Sequence, residues 1–159
     1  MKKAVFAGTF DPVTIGHEKV IEKASKLFDK LYIVIGVNDQ KTPIFSINTR
    51  LEMLKEACKK YDNIEVYYHE GMLVDFMKEH GVIYTVRGVR NDSDYKYENY
   101  MHSVNKSLYP SIVTLFIPCD KELANISSTL VRNAVKNGEN LDKYLSSEVK
   151  EVISKNLLK

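Results

Sequence analysis

The chain has 159 residues, enough for one domain that buries a full core without a disulfide or structural metal. Hydrophobic residues make up 44% and charged residues 28%, a globular composition that excludes an intrinsically disordered chain. With 23 basic and 21 acidic residues the formal charge is +2, which argues against nucleic-acid binding through bulk charge and leaves room for a local anion site.

The apolar run after Met1-Lys2-Lys3 is too short for a signal peptide, and no stretch approaches the roughly 18 apolar residues of a membrane span. Cys58 and Cys119 fit no zinc or redox spacing and read as two reduced thiols. The expectation is a cytoplasmic protein with no membrane association.

In chain order, Lys3–Ala7 reads as a first strand ended by Gly8. Val20, Ile21, Ala24, Leu27 and Phe28 recur at helical spacing and predict a helix from about Gly16 to Asp29. Leu31–Val37 is β-branched and continuously apolar, as a strand covered on both faces should be. Asn38 to Ile47 is polar, contains Pro43 and reads as a loop. Leu51, Leu54, Ala57 and Cys58 mark a second helix, with Ser46 or Asn48 as its cap. Ile64–Tyr68 is a third strand, Leu73–His80 a short helix closed by Gly81, and Ile83–Val86 a fourth strand leading into Arg87-Gly88-Val89-Arg90.

Asp92 to Leu108 is read as a helix with Tyr97, Tyr100, Met101, Val104 and Leu108 on one side, ended by Pro110. Ile112–Ile117 is a fifth strand. Ser127 to Lys136 and Ser146 to Leu158 are two closing helices, the first followed by Gly138. Alternating strands and helices imply crossover connections, hence a parallel five-stranded α/β sheet, doubly wound with helices on both faces. With no repeat, low-complexity tract or linker, residues 1–159 read as a single domain. In such sheets ligands bind beyond the carboxyl ends of the strands, where the winding reverses.

Three segments carry chemistry. After the first strand come Gly8-Thr9-Phe10-Asp11-Pro12 and Thr14-Ile15-Gly16-His17, a turn running into a helix start whose free N–H groups and dipole attract anions. A histidine there can donate a hydrogen bond to a phosphate; the plain alternative is a capped turn with an incidental histidine. The second segment is Arg87-Gly88-Val89-Arg90 with Glu98 downstream, and the third is Ile126-Ser127-Ser128-Thr129 at another helix start. Lys41 and Arg87 lie on segments that the fold directs to one crevice, a point charge and a planar fork suited to a phosphate. The hydroxyls of Ser127, Ser128 and Thr129 also serve as ordinary caps, and capping and phosphate binding can coexist. Tyr95, Tyr97 and Tyr100 fit packing or a subunit contact better than nucleic-acid stacking. His69, His80 and His102 have no metal-ligand spacing, and no acidic cluster promises a metal site of the protein's own.

Together the T-x-G-H signature at Thr14–His17, the Arg87–Arg90 segment, the I-S-S-T segment and Lys41 before Pro43 resemble the nucleotidylyltransferase superfamily, and within it the phosphopantetheine adenylyltransferases. The resemblance covers nearly the whole chain, with Ala7, Ile15 and Asn125 departing from the residues common at their positions. It implies a Rossmann-like fold and direct transfer of the adenylyl group of ATP to 4′-phosphopantetheine, with Mg²⁺ arriving on the ATP. It further implies His17, Lys41 and Arg90 as the catalytic groups and Thr9, Lys41, Leu73 and Arg87 as contacts to the acceptor. For the nucleotide it implies Thr9, Phe10, His17, Gly88, Val89, Arg90 and Glu98, joined by Leu123, Ala124, Asn125 and Ile126 ahead of Ser127, Ser128 and Thr129. Relatives of this kind form hexamers, so a homohexamer is expected. The rivals are a related transferase with another phosphate acceptor and a non-catalytic nucleotide-binding regulator. Retention of His17, Lys41 and Arg87 together argues against the second.

Overall fold

The computed structural model describes residues 1–37 and 42–157, so Lys41 lies outside the described residues. The elements run β1 (Lys3–Gly8), α1 (Ile15–Leu27), β2 (Lys30–Gly36), α2 (Ile47–Cys58), β3 (Ile64–His69) and α3 (Leu73–Glu79), then β4 (Tyr84–Val89), α4 (Asp92–Leu108), β5 (Val113–Pro118), α5 (Ser128–Lys136) and α6 (Ser147–Leu157). All five strands are parallel in the order β3-β2-β1-β4-β5, so the winding reverses between β1 and β4.

The continuous apolar runs of β1 and β2 are explained by burial on both faces. Ala4 and Phe6 of β1, with Leu31, Ile33 and Ile35 of β2, point into a core shared with α1, α2 and α6. The alternate residues Val5, Tyr32 and Val34 pack with Phe76 and Met77 of α3 on the opposite face. Each fully buried Ile or Leu of these strands contributes about 1.5–3 kcal/mol relative to exposure, which is what holds the sheet between its helices.

The starts of α1, α2, α4 and α5 are capped by side chains. Thr14, Ser46, Asn91 and Ser127 each accept an amide from the first turn of the helix they precede. Of the two candidate caps for α2, Ser46 fills the position, its Oγ accepting from the Thr49 amide at 3.1 Å. Gly81 and Gly138 sit at φ +64° and +66°, the left-handed conformation expected after α3 and α5.

Two features differ from the sequence reading, and a third decides between alternatives it left open. Strand β4 extends through Val89, because Arg87, Gly88 and Val89 pair with Phe116, Ile117 and Pro118 of β5. Arg87 and Gly88 are therefore strand residues and not loop residues. A short 3₁₀ turn at Lys121–Leu123, which the periodicity did not predict, joins β5 to the approach of α5. Of the two readings left open for the α4 tyrosines, packing holds for Tyr95, edge-on to Phe116 of β5, while Tyr97 and Tyr100 are 61% and 66% exposed. Polar groups also fasten the helix inward, with Glu98 reaching Arg87 and the His102 ring nitrogen 2.7 Å from the Thr114 hydroxyl.

Candidate active site

Pairing between β1 and β4 runs from Ala4 opposite Tyr84 to Phe6 opposite Val86. Beyond that point Gly8 remains paired to β2 and Gly88 to β5. The carboxyl ends of the two central strands thus bound a cleft of about 610 Å³ at the point where the winding reverses. Gly88 is required there: a Cβ on it would lie 2.9 Å from Cγ2 of Val20, so β4 approaches α1 only with glycine at this position.

Two helix starts face the cleft. In α1, the Thr14 side chain accepts the His17 amide while the His17 ring accepts the Thr14 amide, at 3.0 Å from Nδ1, forming a reciprocal capping box. The Ile15 amide goes to the Tyr144 carbonyl, which leaves the amide of Gly16, a residue of the cleft wall, for a ligand. In α5, Ser127 caps the Leu130 amide, and Ser128 and Thr129 present the first-turn amides along the wall.

The capping bond also fixes the chemistry of His17. Because Nδ1 accepts from a backbone amide, the ring proton belongs on Nε2. Phe10 packs edge-on against the ring, with centroids 5.0 Å apart. Burial, reinforced by the positive charges of Arg87 and Arg90, lowers the His17 pKa from 6.5 to about 4. At neutral pH the side chain is therefore an uncharged donor with its direction fixed by the helix.

Arg87 lies on the α4 face of β4, where its guanidinium makes a bidentate pair with Glu98, both bonds at 2.8 Å, and a third bond to the Ala7 carbonyl. Glu98 is 9% exposed and engages Arg87 through both carboxylate oxygens. The expected nucleotide contact of Glu98 thus meets a competing role, that of orienting Arg87. Arg90 is held by Asp94 at 3.1 Å and reaches the Ile126 carbonyl, linking the end of β4 to the approach of α5.

Of the residues singled out in the sequence, the cleft wall brings together Thr9, Phe10, His17, Arg87, Gly88 and Arg90 with the segment Ile126–Thr129. Phe10 is 2% exposed and belongs to the core beneath the cleft. Val89, Glu98, Leu123, Ala124 and Asn125 are not part of the wall. Leu73 packs with the Val5–Phe76 core on the far side of the sheet and lines neither described cleft.

Three residues that brace the cleft through hydrogen bonds were given no such role in the sequence reading. The carboxylate of Asp11 accepts the amides of Ile44 and Phe45, both at 3.0 Å. Arg132 lines the cleft and donates to the Asp11 carbonyl at 3.1 Å and the Thr129 hydroxyl at 2.9 Å. Arg50 donates to the Thr9 carbonyl from α2. Arg132 was discoverable, because a position three beyond Thr129 shares its helix face. Nothing local marks Arg50.

A polyphosphate-sized cleft at the switch point, walled by two helix starts, a neutral histidine and arginines, defines an α/β nucleotide-binding protein. Comparison with known proteins narrows the class. The cytidylyltransferase-like family matches residues 5–134. Curated relatives named phosphopantetheine adenylyltransferase include one from Thermotoga neapolitana, 36% identical over 97% of this chain and 96% of that protein. Another, from Caldanaerobacter subterraneus subsp. tengcongensis, is 39% identical over 95% and 94%. A third, from Limosilactobacillus reuteri, is 36% identical over 99% and 91%. The chain belongs to the cytidylyltransferase-like family and, within it, to the phosphopantetheine adenylyltransferases. A crystal structure provisionally assigned as a nicotinate-nucleotide adenylyltransferase from Vibrio parahaemolyticus shares the fold, with a TM-score of 0.67 at 19% identity over 98% of this chain and 93% of that one.

Proposed function

We propose that the protein transfers the adenylyl group of ATP to 4′-phosphopantetheine, releasing pyrophosphate and giving dephospho-coenzyme A, a step of coenzyme A biosynthesis. The observation that carries this reading is the neutral, Nε2-protonated His17 in a cleft shared with Arg87, Arg90 and the start of α5. The full-length kinship with phosphopantetheine adenylyltransferases supports the acceptor.

In this reaction a phosphate oxygen of the acceptor attacks the α-phosphorus in line. The new O–P bond forms as the bond from the α-phosphorus to the bridging oxygen breaks, and the electron pair leaves with pyrophosphate. A phosphate monoester with a second pKa of about 6 is already an anion at neutral pH, so no general base or enzyme nucleophile is needed. Catalysis then consists of holding two anions together and stabilising charge on the α-phosphate. His17 Nε2–H donates to a non-bridging α-oxygen, with Arg90 and Lys41 adding positive charge. Ser127, Ser128 and Thr129 receive the β- and γ-phosphates, and Gly88 and Val89 meet the nucleoside through backbone. Leu123 to Ile126 lead to the adenine side. Thr9, Lys41 and Arg87 hold the acceptor phosphate.

Among the described residues no group of three or more His, Cys, Asp or Glu side chains is placed to hold a metal ion. Asp11 of the cleft wall accepts two amides, Asp94 pairs with Arg90 and Glu98 with Arg87. The substrate is written as MgATP, the ion arriving with its phosphates and most of its waters.

The same reading makes the protein a cytoplasmic homohexamer. Among the described residues no helix is long and apolar enough to cross a membrane, and both cysteines are free thiols. The exposed Tyr97 and Tyr100 of α4 supply an aromatic face of the kind that subunit contacts cover. Sedimentation equilibrium should return six chains for the wild type and fewer for Tyr100→Asp; an unchanged mass for that variant would remove this face from the contact.

The function itself is tested by pyrophosphate release from MgATP with a panel of acceptors: 4′-phosphopantetheine, nicotinamide mononucleotide and glycerol phosphate. Release should be fastest by a wide margin with 4′-phosphopantetheine. Faster release with another acceptor would reassign the substrate, and no release with any would reject the transferase reading.

A further inference from the structure

Arg50 is an unusual residue to find inside α2. It is 5% exposed, and a position so buried would ordinarily be filled by an apolar side chain, because a guanidinium taken out of water must have its hydrogen bonds replaced. Its replacements are two backbone carbonyls from different segments: Nε donates to the Phe45 carbonyl and Nη1 to the Thr9 carbonyl, each at 3.0 Å. One rigid planar group thereby ties the β1–α1 loop to the segment entering α2.

A second tie runs the other way. Asp11, from the β1–α1 loop, receives the amides of Ile44 and Phe45. Between the two anchor points sits Phe10, whose φ of +47° places a non-glycine residue in the left-handed region. Such a conformation costs on the order of 1 kcal/mol and persists only where the surroundings over-determine it. Arg50 on the Thr9 carbonyl and Arg132 on the Asp11 carbonyl hold the backbone on both sides of it. Thr9, Thr42 and Pro43 line the main cleft and also a neighbouring cleft of about 520 Å³, where Arg50 forms part of the wall.

We propose that Arg50 is a positioning residue for the acceptor: it sets Thr9 and the segment 42–45 at their working separation at the junction of the two clefts, without taking part in the chemistry. The inference rests on the adenylyltransferase reading and on Thr9 as an acceptor contact. Thr9 is shared with the nucleotide, but the groups that hold its polyphosphate, α5 and Arg90, have no hydrogen bond to Arg50 among the described residues.

The test uses full-length Arg50→Lys and Arg50→Met, assayed by pyrophosphate release well below the Tm of each, with far-UV circular dichroism to show that they are folded. Lysine keeps the charge but cannot span both carbonyls. Loss of one charge-assisted bond then raises the KM for 4′-phosphopantetheine about tenfold, with more for Met. The KM for ATP and kcat stay within about twofold. A merely structural role would lower Tm and leave the two KM values moving together. Parallel rises in both, or no rise in either, in the folded Lys variant overturn the proposal, and that variant decides should Arg50→Met fail to fold. Wild-type protein inactive with 4′-phosphopantetheine would reject the functional reading itself. An active wild type with unmoved KM values in the variants rejects only the role of Arg50.

Discussion

Replacing His17 with alanine is expected to lower kcat about 100- to 1,000-fold while changing the KM for ATP only a few-fold, the usual result of removing one donor to charge that develops in the transition state. The asymmetry follows from the state of the ring. His17 carries no charge at neutral pH, because burial and the neighbouring arginines lower its pKa to about 4. It therefore offers ground-state ATP a neutral hydrogen bond of modest net worth, while the arginines and helix amides supply most of the attraction. His17→Gln retains an N–H donor and a carbonyl that can accept the Thr14 amide, so it should recover part of the loss. Steady-state kinetics of the two variants check this, and near-normal turnover in His17→Ala would remove the residue from the chemistry.

The same shift sets two pH dependences. The folded value of about 4 lies below the ordinary 6.5, so the fold favours the neutral ring. That contribution to stability is fully present above pH 6.5 and is lost as the pH falls toward 4, where the folded protein at last takes up the proton. Between pH 6.5 and 8 the ring does not titrate, so the rate should follow the acceptor phosphate, falling below its second pKa near 6. An NMR titration in which the His17 ring protonates near 6.5 would contradict both statements.

How much of this was legible in the sequence depends on how far each signal had to travel along the chain. The strand read at Leu31–Val37 and observed at Lys30–Gly36 was plain because both faces of Leu31–Ile35 are buried, which writes a continuous apolar run into the sequence. The caps at Ser46 and Ser127 were legible because a cap and the amide it binds are three residues apart. The far end of β4 was not, since what extends it through Val89 is register with β5, and register leaves no mark in the strand's own composition. The tyrosines of α4 stayed open between packing and a subunit contact for a related reason: helical spacing says that residues share a face, not what covers it. In the site, helix-start chemistry gave His17 and Ser127–Thr129 directly, whereas Arg50, Asp11 and the Arg87–Glu98 pair are made by elements brought together only in the fold. Leu73 shows the converse case, a residue given a site role by resemblance that packs beside the far core and lines neither described cleft.

Arg87→Ala is expected to raise the KM for 4′-phosphopantetheine about 30- to 100-fold, with a smaller effect on ATP, because a bidentate-capable cation facing one phosphate is lost. A second loss follows from the pairing, since Glu98 is left 9% exposed with neither of its two partners on Arg87. Removing one member of a fully buried pair costs about 3–5 kcal/mol. The Arg87 side chain is 29% exposed against 11% for Glu98, so solvent screening brings the expectation down to about 1–3 kcal/mol. Stability and binding can therefore be confused, and a double variant separates them. In Arg87→Met with Glu98→Leu no charge is stranded, so chemical denaturation should return most of the lost stability, while the acceptor KM stays as high as in Arg87→Ala. Recovery of the acceptor KM along with stability would mean that Arg87 acts only by holding α4 against β4, and an acceptor KM unchanged in Arg87→Ala would remove it from the phosphate site altogether.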